Sequence, residues 1–367
     1  MRLRNFILFG LALLGAGGIY IFMSQDLHKA QSTNPRVTIG VSAFQDTILP
    51  LYAKQKGFFE EEGLDANVVL LGWTEVLEAL SSKASTRIDI GINNECSVIG
   101  AWNNNKDLRY FYPVNPFDNG FALMARKGGP IRPLSSFSNE ELPSSSAKDA
   151  FAAQLKGRTI ITTSGTDMEQ GVAAIARRAN LRLGTDVKII DLPPDEGLIA
   201  FLGGNGDAYI GGIPQRFKAA QSGAIELITG TDIGPAPING FVTTNSYATA
   251  NPEVMEKVVR VWFRTVKYVN DNFDSAAPEI IELVNKNSAG KLTVDDFRKT
   301  WNGLETFEPS VQSVERNIIS PSGRNYWKAR WDDCNTYFFD LKRAIPARVS
   351  PAQGALVDQV HNRLKSD

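Results

Sequence analysis

Short apolar runs alternate with longer amphipathic segments over the first two thirds of the chain. This alternation is typical of parallel α/β structure. In the first stretch the pattern predicts strands at 37–41, 66–71 and 88–92 and helices at 47–59 and 74–82. Thr74 is expected to cap the second of these helices, because its hydroxyl can accept a hydrogen bond from a free backbone amide.

The pattern restarts after a segment rich in Pro and Ser, residues 131–148, which predicts a surface loop or an insertion. The second stretch predicts strands at 158–162, 187–191 and 208–211 and helices at 167–179 and 196–202. From Pro252 onward apolar residues recur at helical spacing, which favours packing helices. The expected fold class is therefore α/β, with two lobes of similar build and a helical C-terminal tail.

An Asn-Gly-Phe sequence occurs twice, at 119–121 and at 239–241, each time after the last strand of a lobe. The two copies are either unrelated turns or two crossover strands of a hinge, and their position favours the hinge. The expected division is a signal or anchor segment at 1–24, a spacer at 25–36, lobe 1 at 37–125 plus 243–367 with the helical tail, and lobe 2 at 126–242 including the loop at 131–148.

The N-terminus predicts export. Arg2 and Arg4 precede an uncharged apolar run at 6–23, a pattern that keeps the N-terminus in the cytoplasm and sends the following chain across the membrane. A cleaved signal peptide and a retained inner-membrane anchor both remain open. In either case the body is expected to be periplasmic or extracytoplasmic.

The composition narrows the function classes. The chain has 39 Lys plus Arg and 40 Asp plus Glu, so its net charge of -1 gives no case for nucleic-acid binding. His28 and His361, its two histidines, lie near the chain ends and leave almost no material for His-based catalysis. Cys96 and Cys334 are far apart and have no C-x-x-C spacing, which favours two buried free thiols over a long-range disulfide. No metal and no cofactor is expected.

Several phrases together resemble a known family. They are Gly57-Phe58-Phe59 with Gly63-Leu64, Asp89-Ile90-Gly91, Leu155-Lys156-Gly157 and Gly206-Asp207-Ala208. Residues 37–242 resemble the periplasmic solute-binding proteins of ABC transporters, in the sulfonate, nitrate and thiamine-pyrimidine group. The resemblance implies a two-lobe periplasmic-binding-protein-like fold of type II with two hinge crossovers. It also implies a monomer that captures a small solute between the lobes and delivers it to an ABC-type permease in the inner membrane.

Ligands of open parallel sheets lie beyond the carboxyl ends of the strands, so the loops at those ends are the candidate site. The candidates in lobe 1 are Phe44, Gln45, Asp46, Trp73, Asn93, Asn94, Glu95, Asp118 and Asn119. Those in lobe 2 are Thr163, Ser164, Gly165, Thr166, Asp195, Gly212 and Pro214. The segment 163–167 could equally cap its helix or hold an anion on free backbone amides. No residue is expected to be catalytic.

Carboxylates at candidate positions favour an amine-bearing or heteroaromatic solute over a sulfonate. Asp46, Glu95, Asp118 and Asp195 would repel an anion, and Phe44 with Trp73 would stack on a flat or cationic ligand. The same acids could instead cap helices without facing the cleft. Binding of a sulfonate or nitrate, a membrane-held sensor domain and a pyrimidine-synthase-like enzyme are the alternatives. The His- and Cys-rich signatures of that enzyme class are missing here.

Overall fold

Alternating short strands and helices give two five-stranded sheets. The computed structural model describes residues 34–81, 84–138, 143–234 and 236–366. The expected signal or anchor segment at 1–24 and most of the spacer at 25–36 lie outside these residues. Within the described residues no helix is long and apolar enough to span a membrane.

The strands follow the predicted order with additions. They are β1 (Arg36–Val41), β2 (Asp65–Leu70), β3 (Ile90–Asn94), β4 (Leu108–Pro116), β5 (Ala122–Arg126), β6 (Thr159–Thr162), β7 (Lys188–Asp191), β8 (Ala208–Gly211), β9 (Ala224–Thr229) and β10 (Ile238–Thr244). The first sheet has the order β2-β1-β3-β10-β4 and the second β7-β6-β8-β5-β9. In each sheet the first three strands run parallel and the fourth runs antiparallel to both of its neighbours.

Helices cover both sheets and form the tail. Those up to β10 are α1 (Leu49–Gln55), α2 (Phe58–Glu61), α3 (Trp73–Ala79), α4 (Glu95–Ala101), α5 (Ser135–Ser138), α6 (Ser144–Ala153), α7 (Asp167–Arg177), α8 (Pro194–Leu202), α9 (Ile213–Gln221) and α10 (Gly230–Ile233). The tail contains α11 (Asn245–Ala250), α12 (Pro252–Asp271), α13 (Phe273–Asn287), α14 (Val294–Lys299), α15 (Val311–Val314), α16 (Trp327–Asn335), α17 (Pro351–Gly354) and α18 (Val357–Leu364). Wider π-helical turns occur at Thr300–Leu304, Glu315–Ile319 and Thr336–Leu341.

The predicted apolar stripe of α12 is buried. Val258, Val261 and Trp262 belong to an apolar core that also contains Val37 and Ile39 of β1. The helix packs against α1 and α2. The tail therefore completes the core of the first sheet, which we call lobe 1 together with its helices; the second sheet and its helices form lobe 2.

Several element predictions are corrected. The helix expected at 47–59 is two helices, because Gly57 between α1 and α2 has a φ of 76° that a continuing helix does not allow. Gly72, rather than Thr74, is the N-cap of α3. The Pro- and Ser-rich segment is not only a loop, since it contains α5 and the start of α6. The sequence reading also missed β4, β9 and α9.

The chain crosses between the sheets at 117–121 and again at 230–237. The backbone N–H of Phe117 donates to the carbonyl of Pro237 over 2.9 Å, so the two crossovers lie side by side. The first Asn-Gly-Phe sequence lies in a crossover, but the second lies inside β10. Consequently β5 belongs to the second sheet and β10 to the first, unlike the boundaries expected at 125 and 242. We propose 121 and 237 as the lobe boundaries instead.

The two cysteines form a disulfide, which corrects the prediction of free thiols. Cys96 in the first turn of α4 is bonded to Cys334 near the end of α16, with their Cα atoms 5.0 Å apart. The partners are 238 residues apart, and only the docking of the tail on lobe 1 brings them together. The spacing of the two cysteines in the sequence does not predict this contact.

Candidate ligand-binding site

A cavity of about 40 Å³, partly open to solvent, lies between the carboxyl ends of the parallel strands of the two lobes. Loops after β1, β2 and β3 face loops after β6, β7 and β8 across it. Its lining residues are Phe44, Gln45, Asp46, Trp73, Asn94, Phe117, Thr163, Thr166, Asp167, Met168, Pro194, Gly212, Ile213 and Asn239. Such a volume accommodates about three water molecules, so it suits a small chemical group.

Helix caps place the polar side chains of the cavity. Asn94 ends β3 and caps α4, its side-chain oxygen accepting a hydrogen bond from the N–H of Ser97 over 2.9 Å. On the opposite side Thr166 caps α7 by accepting from the N–H of Met168. These two residues turn the chain from strand to helix at the cavity wall, which fixes Asn94 and Asp167 opposite each other.

Two buried carboxylates face the cavity, one from each lobe. Asp46 accepts a hydrogen bond from the Asn239 amide over 2.6 Å, and Asp167 accepts one from the Asn94 amide over 2.9 Å. The second bond links lobe 1 to lobe 2. Burial raises the pKa of Asp46, and it raises the pKa of Asp167 to about 6, to which the nearby charge of Asp46 contributes. None of the described lining residues is Lys, Arg or His.

The cavity lining also contains a hydrogen-bond acceptor without a partner, the side-chain oxygen of Gln45. The amide nitrogen of Gln45 donates to Asp46 over 3.3 Å and also to Glu305 of the tail. Its carbonyl oxygen is buried and has no hydrogen-bond partner. Because a buried acceptor without a partner is costly, a ligand N–H that reached it would be stabilised.

The backbone amides that could have held an anion are already used. The N–H of Ser164 donates to Asp191 and the N–H of Gly165 donates to Glu169, both over 2.8 Å. The Thr163 and Thr166 hydroxyls donate to the carbonyls of Leu192 and Thr163. The backbone amides before α7 therefore donate to carboxylates of the protein itself. These contacts agree with the capping interpretation of 163–167.

Aromatic side chains form one wall. The rings of Phe44 and Trp73 meet edge to face, with centroids 5.7 Å apart at 84°. Trp73 also lines two open grooves beside the cavity, of about 750 and 350 Å³. It therefore lies between the cavity and the two wider grooves, and a larger ligand would have to move it.

Half of the residues predicted from the sequence line the cavity, namely Phe44, Gln45, Asp46, Trp73, Asn94, Thr163, Thr166 and Gly212. Four more line the neighbouring grooves. Ser164 and Gly165 lie at the larger one, and Asp195 lies at the smaller. Asn93 also lines the larger groove, and its amide donates to the carbonyl of Trp73.

The remaining predicted residues are used by the scaffold. Glu95 accepts from the N–H of Ile238 at the start of β10, and Asp118 accepts from the Thr306 hydroxyl of the tail. Asn119 accepts from the N–H of Thr231 and thereby joins the two crossovers. Pro214 packs closely against Gly290 of the tail, since a Cβ added at Gly290 would lie 2.4 Å from the Cβ of Pro214.

The sequence predicts the loops at 194–195 and 211–214 as part of the site, which include the lining residues Pro194 and Ile213, but it does not predict Phe117, Asp167, Met168 and Asn239. Asp167 belongs to the segment 163–167, for which the sequence predicts a helix cap or an anion site and not a carboxylate that faces the ligand. Asn239 carried no usable signal, because it reaches the cavity on a strand that runs antiparallel to its neighbours. Among the described residues, the one group of acidic and sulfur side chains within metal-binding distance is Glu95, Cys96 and Cys334, and its sulfurs are in the disulfide.

The model of the NMT1-like family matches residues 30–285, more than half of the chain. The chain belongs to the NMT1-like family. This confirms the resemblance to the sulfonate, nitrate and thiamine-pyrimidine group of solute-binding proteins. Among curated proteins, Bacillus subtilis (strain 168) YtlA, provisionally named a binding protein, is 23% identical over 324 residues, covering 82% of this chain and 91% of YtlA.

Solved structures support the two-sheet periplasmic-binding-protein-like fold of this NMT1-like chain. The alkanesulfonate-binding protein SsuA from Xanthomonas axonopodis pv. citri, bound to MOPS, has a TM-score of 0.65 at 19% identity, covering 88% of this chain and 98% of SsuA. The nitrate-binding protein NrtA from Synechocystis PCC 6803 has a TM-score of 0.62 at 14% identity, covering 91% and 90%. The desulfurization enzyme DSZB is also similar, with a TM-score of 0.58 at 11% identity, covering 91% and 99%.

Proposed function

We propose that this member of the NMT1-like family is an extracytoplasmic binding protein that captures a small amine-bearing solute between its lobes and delivers it to an ABC-type permease in the inner membrane. The observation that carries the proposal is the pair of buried carboxylates, Asp46 and Asp167, that face one cavity from opposite lobes. A ligand held between them would contact both lobes and favour the closed form.

The contacts favour a cation over an anion. An ammonium group offers N–H donors and no acceptor, which matches Asp46, Asp167 and the unpaired carbonyl oxygen of Gln45. A sulfonate or nitrate would meet two carboxylates and find the amides of Ser164 and Gly165 already donating to Asp191 and Glu169. A protonated heteroaromatic amine would satisfy the same acceptors and could stack on Phe44 or Trp73.

Binding without chemistry fits the lining better than an enzymatic reaction, despite the likeness to DSZB. The described lining has no Cys, Ser, His or Lys, and its two threonine hydroxyls donate to backbone carbonyls. Those bonds hold the threonine protons away from any base. The described lining therefore presents no hydroxyl, thiol, imidazole or amine nucleophile, and its two carboxylates accept hydrogen bonds from Asn239 and Asn94.

The disulfide supports a location outside the cytoplasm. Disulfides such as Cys96–Cys334 persist in oxidising compartments such as the periplasm. Export would follow from the apolar run at 6–23, which lies outside the described residues, and whether that run is cleaved or retained as an anchor remains a prediction. A monomer remains the expected state, and a membrane-held sensor is the alternative if no solute binds.

Thermal unfolding with a small panel tests the proposal. The panel holds n-butylamine, 1,4-diaminobutane, benzamidine and 4-aminopyrimidine, against methanesulfonate and nitrate. A ligand at about 100 times its Kd stabilises the folded protein by about 2.7 kcal/mol, which is a clear rise in Tm. We expect the rise with at least one amine and with neither anion.

Charge-neutral variants assign the effect to the cavity. Asp46→Asn and Asp167→Asn should remove the rise in Tm, whereas Asp65→Asn, an exposed acid paired with Arg36, should keep it. A rise with methanesulfonate or nitrate alone would overturn the amine proposal while leaving solute binding in place. A response to nothing in the panel would favour the sensor alternative.

A further inference from the structure

A second buried acid lies directly behind the cavity wall. Glu305 follows the π-helical turn Thr300–Leu304 of the tail, and 4% of its surface is exposed. The side-chain amide of Gln45, itself 1% exposed, donates both to Glu305 and to Asp46. One amide therefore connects an acid that lines the cavity with an acid that does not.

The charged groups that act directly on Glu305 are acids. Asp46 faces it from the loop after β1 and Asp118 from the first crossover, and Asp167 lies beyond the cavity on α7. Arg324, a largely exposed side chain, lies 3.6 Å from Asp118. In the part of the chain that the structure describes, no Lys, Arg or His forms a hydrogen bond or ion pair with Glu305 or Asp46.

Ionising both Glu305 and Asp46 would be costly in free energy. Each charge would be buried without a cation, and each would repel the other. Burial raises the pKa of Glu305 well above its usual range, and the Asp46 charge raises it further, while the amide hydrogen bond from Gln45 opposes the rise. Asp46 has the direct amide bond from Asn239, so it is the better place for the negative charge.

We propose that Glu305 holds a proton in the empty protein and releases it to solvent when a cation binds beside Asp46. Capture is then an exchange, in which the neutral acid becomes a carboxylate, one proton leaves and one ammonium enters, so the charge of the site is unchanged. Gln45 keeps its bonds to both acids throughout. This inference rests on the proposed capture of an amine.

The exchange predicts the direction of the pH dependence. A bound cation stabilises the carboxylate of Glu305 and lowers its pKa, so affinity increases with pH between the pKa of the bound protein and that of the empty protein. Within that window Kd falls by up to about tenfold per pH unit, the limit for one proton released per ligand. Asp167 contributes to the pH dependence as well, so Glu305 must be isolated by a variant.

Calorimetric titration with n-butylamine in two buffers of different ionisation enthalpy measures the protons released. We expect the wild type to release up to one proton more than Glu305→Gln, whose Kd should also depend less on pH. Glu308→Gln is the matched control, because Glu308 is an equally buried tail acid that instead accepts from Asn317. It should release protons as the wild type does, and Asp167 is present in all three proteins.

Equal proton release by the wild type and Glu305→Gln would overturn the inference while leaving amine capture intact. If n-butylamine binds none of the proteins, the proposed function has failed for this probe, and a readout without ligand decides the inference. The infrared difference spectrum of the empty wild type minus Glu305→Gln should show the carbonyl stretch of a protonated carboxylic acid at neutral pH, since Glu95, whose pKa burial raises to about 8, contributes equally to both proteins. A difference spectrum without that band contradicts a proton on Glu305.

Discussion

The cavity acids destabilise the empty protein at neutral pH. Asp167 is buried, and its pKa in the folded protein is about 6 against an ordinary value of 3.8. The folded state therefore binds more protons than the unfolded state between these values. The stabilisation from the proton bound to Asp167 is complete below pH 3.8 and is lost as the pH rises through 6. Above pH 6 the charge is retained at the expense of stability, as is common for residues that serve a ligand.

Asp167→Asn should consequently stabilise the empty protein at pH 8. The variant removes the buried charge and keeps an oxygen that can accept from Asn94. A pKa difference of about two units corresponds to roughly 3 kcal/mol, and the gain should vanish near pH 3.5, where the wild-type acid is protonated as well. Denaturant unfolding at both pH values measures it, with Asp65→Asn as the exposed control. A loss of stability at pH 8 would contradict the assigned burial cost.

Individual site residues were predictable where they directly follow a parallel strand. Asp46 and Trp73 were found by this rule, because the carboxyl ends of the parallel strands do meet at the cavity. Asp195 also follows a parallel strand, but it does not line the cavity, because the tail residues Ser288 and Ala289 donate to its carboxylate. The rule does not predict Asn239, because this residue lies on β10, which runs antiparallel to both of its neighbours in the first sheet. Contacts made by a distant segment are invisible to local sequence patterns.

At the scale of elements, strands and helices were predictable wherever the apolar period was clear. The strand at Ala208–Gly211 has the predicted bounds. By contrast, β4 was missed, since its sequence LRYFYPVNP contains two prolines that normally argue against a strand. It lies at the edge of its sheet, where a missing N–H is tolerated. The break in the first helix depends on a single glycine.

Gly57→Ala tests that break. A φ of 76° is strained for any residue with a Cβ, although no atom lies within 4 Å of the added methyl group. We expect a loss of about 1–2 kcal/mol in the free energy of unfolding, entirely from backbone strain. Gly303→Ala is the matched control, since its Cβ also meets open space but its φ is not positive. Equal effects of the two substitutions would show that strain at Gly57 is not the cause.

At the scale of the whole molecule, the tail connects the two lobes beside the cavity. Cys334 of α16 is bonded to Cys96 of α4 in lobe 1, while the neighbouring carbonyl of Asp333 accepts from the Gln170 amide of α7 in lobe 2. Lys342 forms an ion pair with Glu169 on the same helix. Helices α4 and α7 begin next to Asn94 and Asp167, so the tail holds the two helices that carry the bond between the lobes.

Loss of the disulfide should therefore weaken both stability and closure. Removing a bond that closes so long a loop costs about 2–5 kcal/mol. The Cys96→Ser, Cys334→Ser double variant should unfold at a correspondingly lower Tm. Without the covalent link α16 is held less tightly on lobe 1, so the tail couples the two lobes less firmly, and small-angle scattering of the empty variant should show a larger radius of gyration. Adding a reductant should lower the Tm of the wild type towards that of the variant and leave the variant itself unchanged. A wild type whose Tm and radius of gyration are insensitive to complete reduction would show that the noncovalent contacts of the tail are sufficient to hold the lobes together.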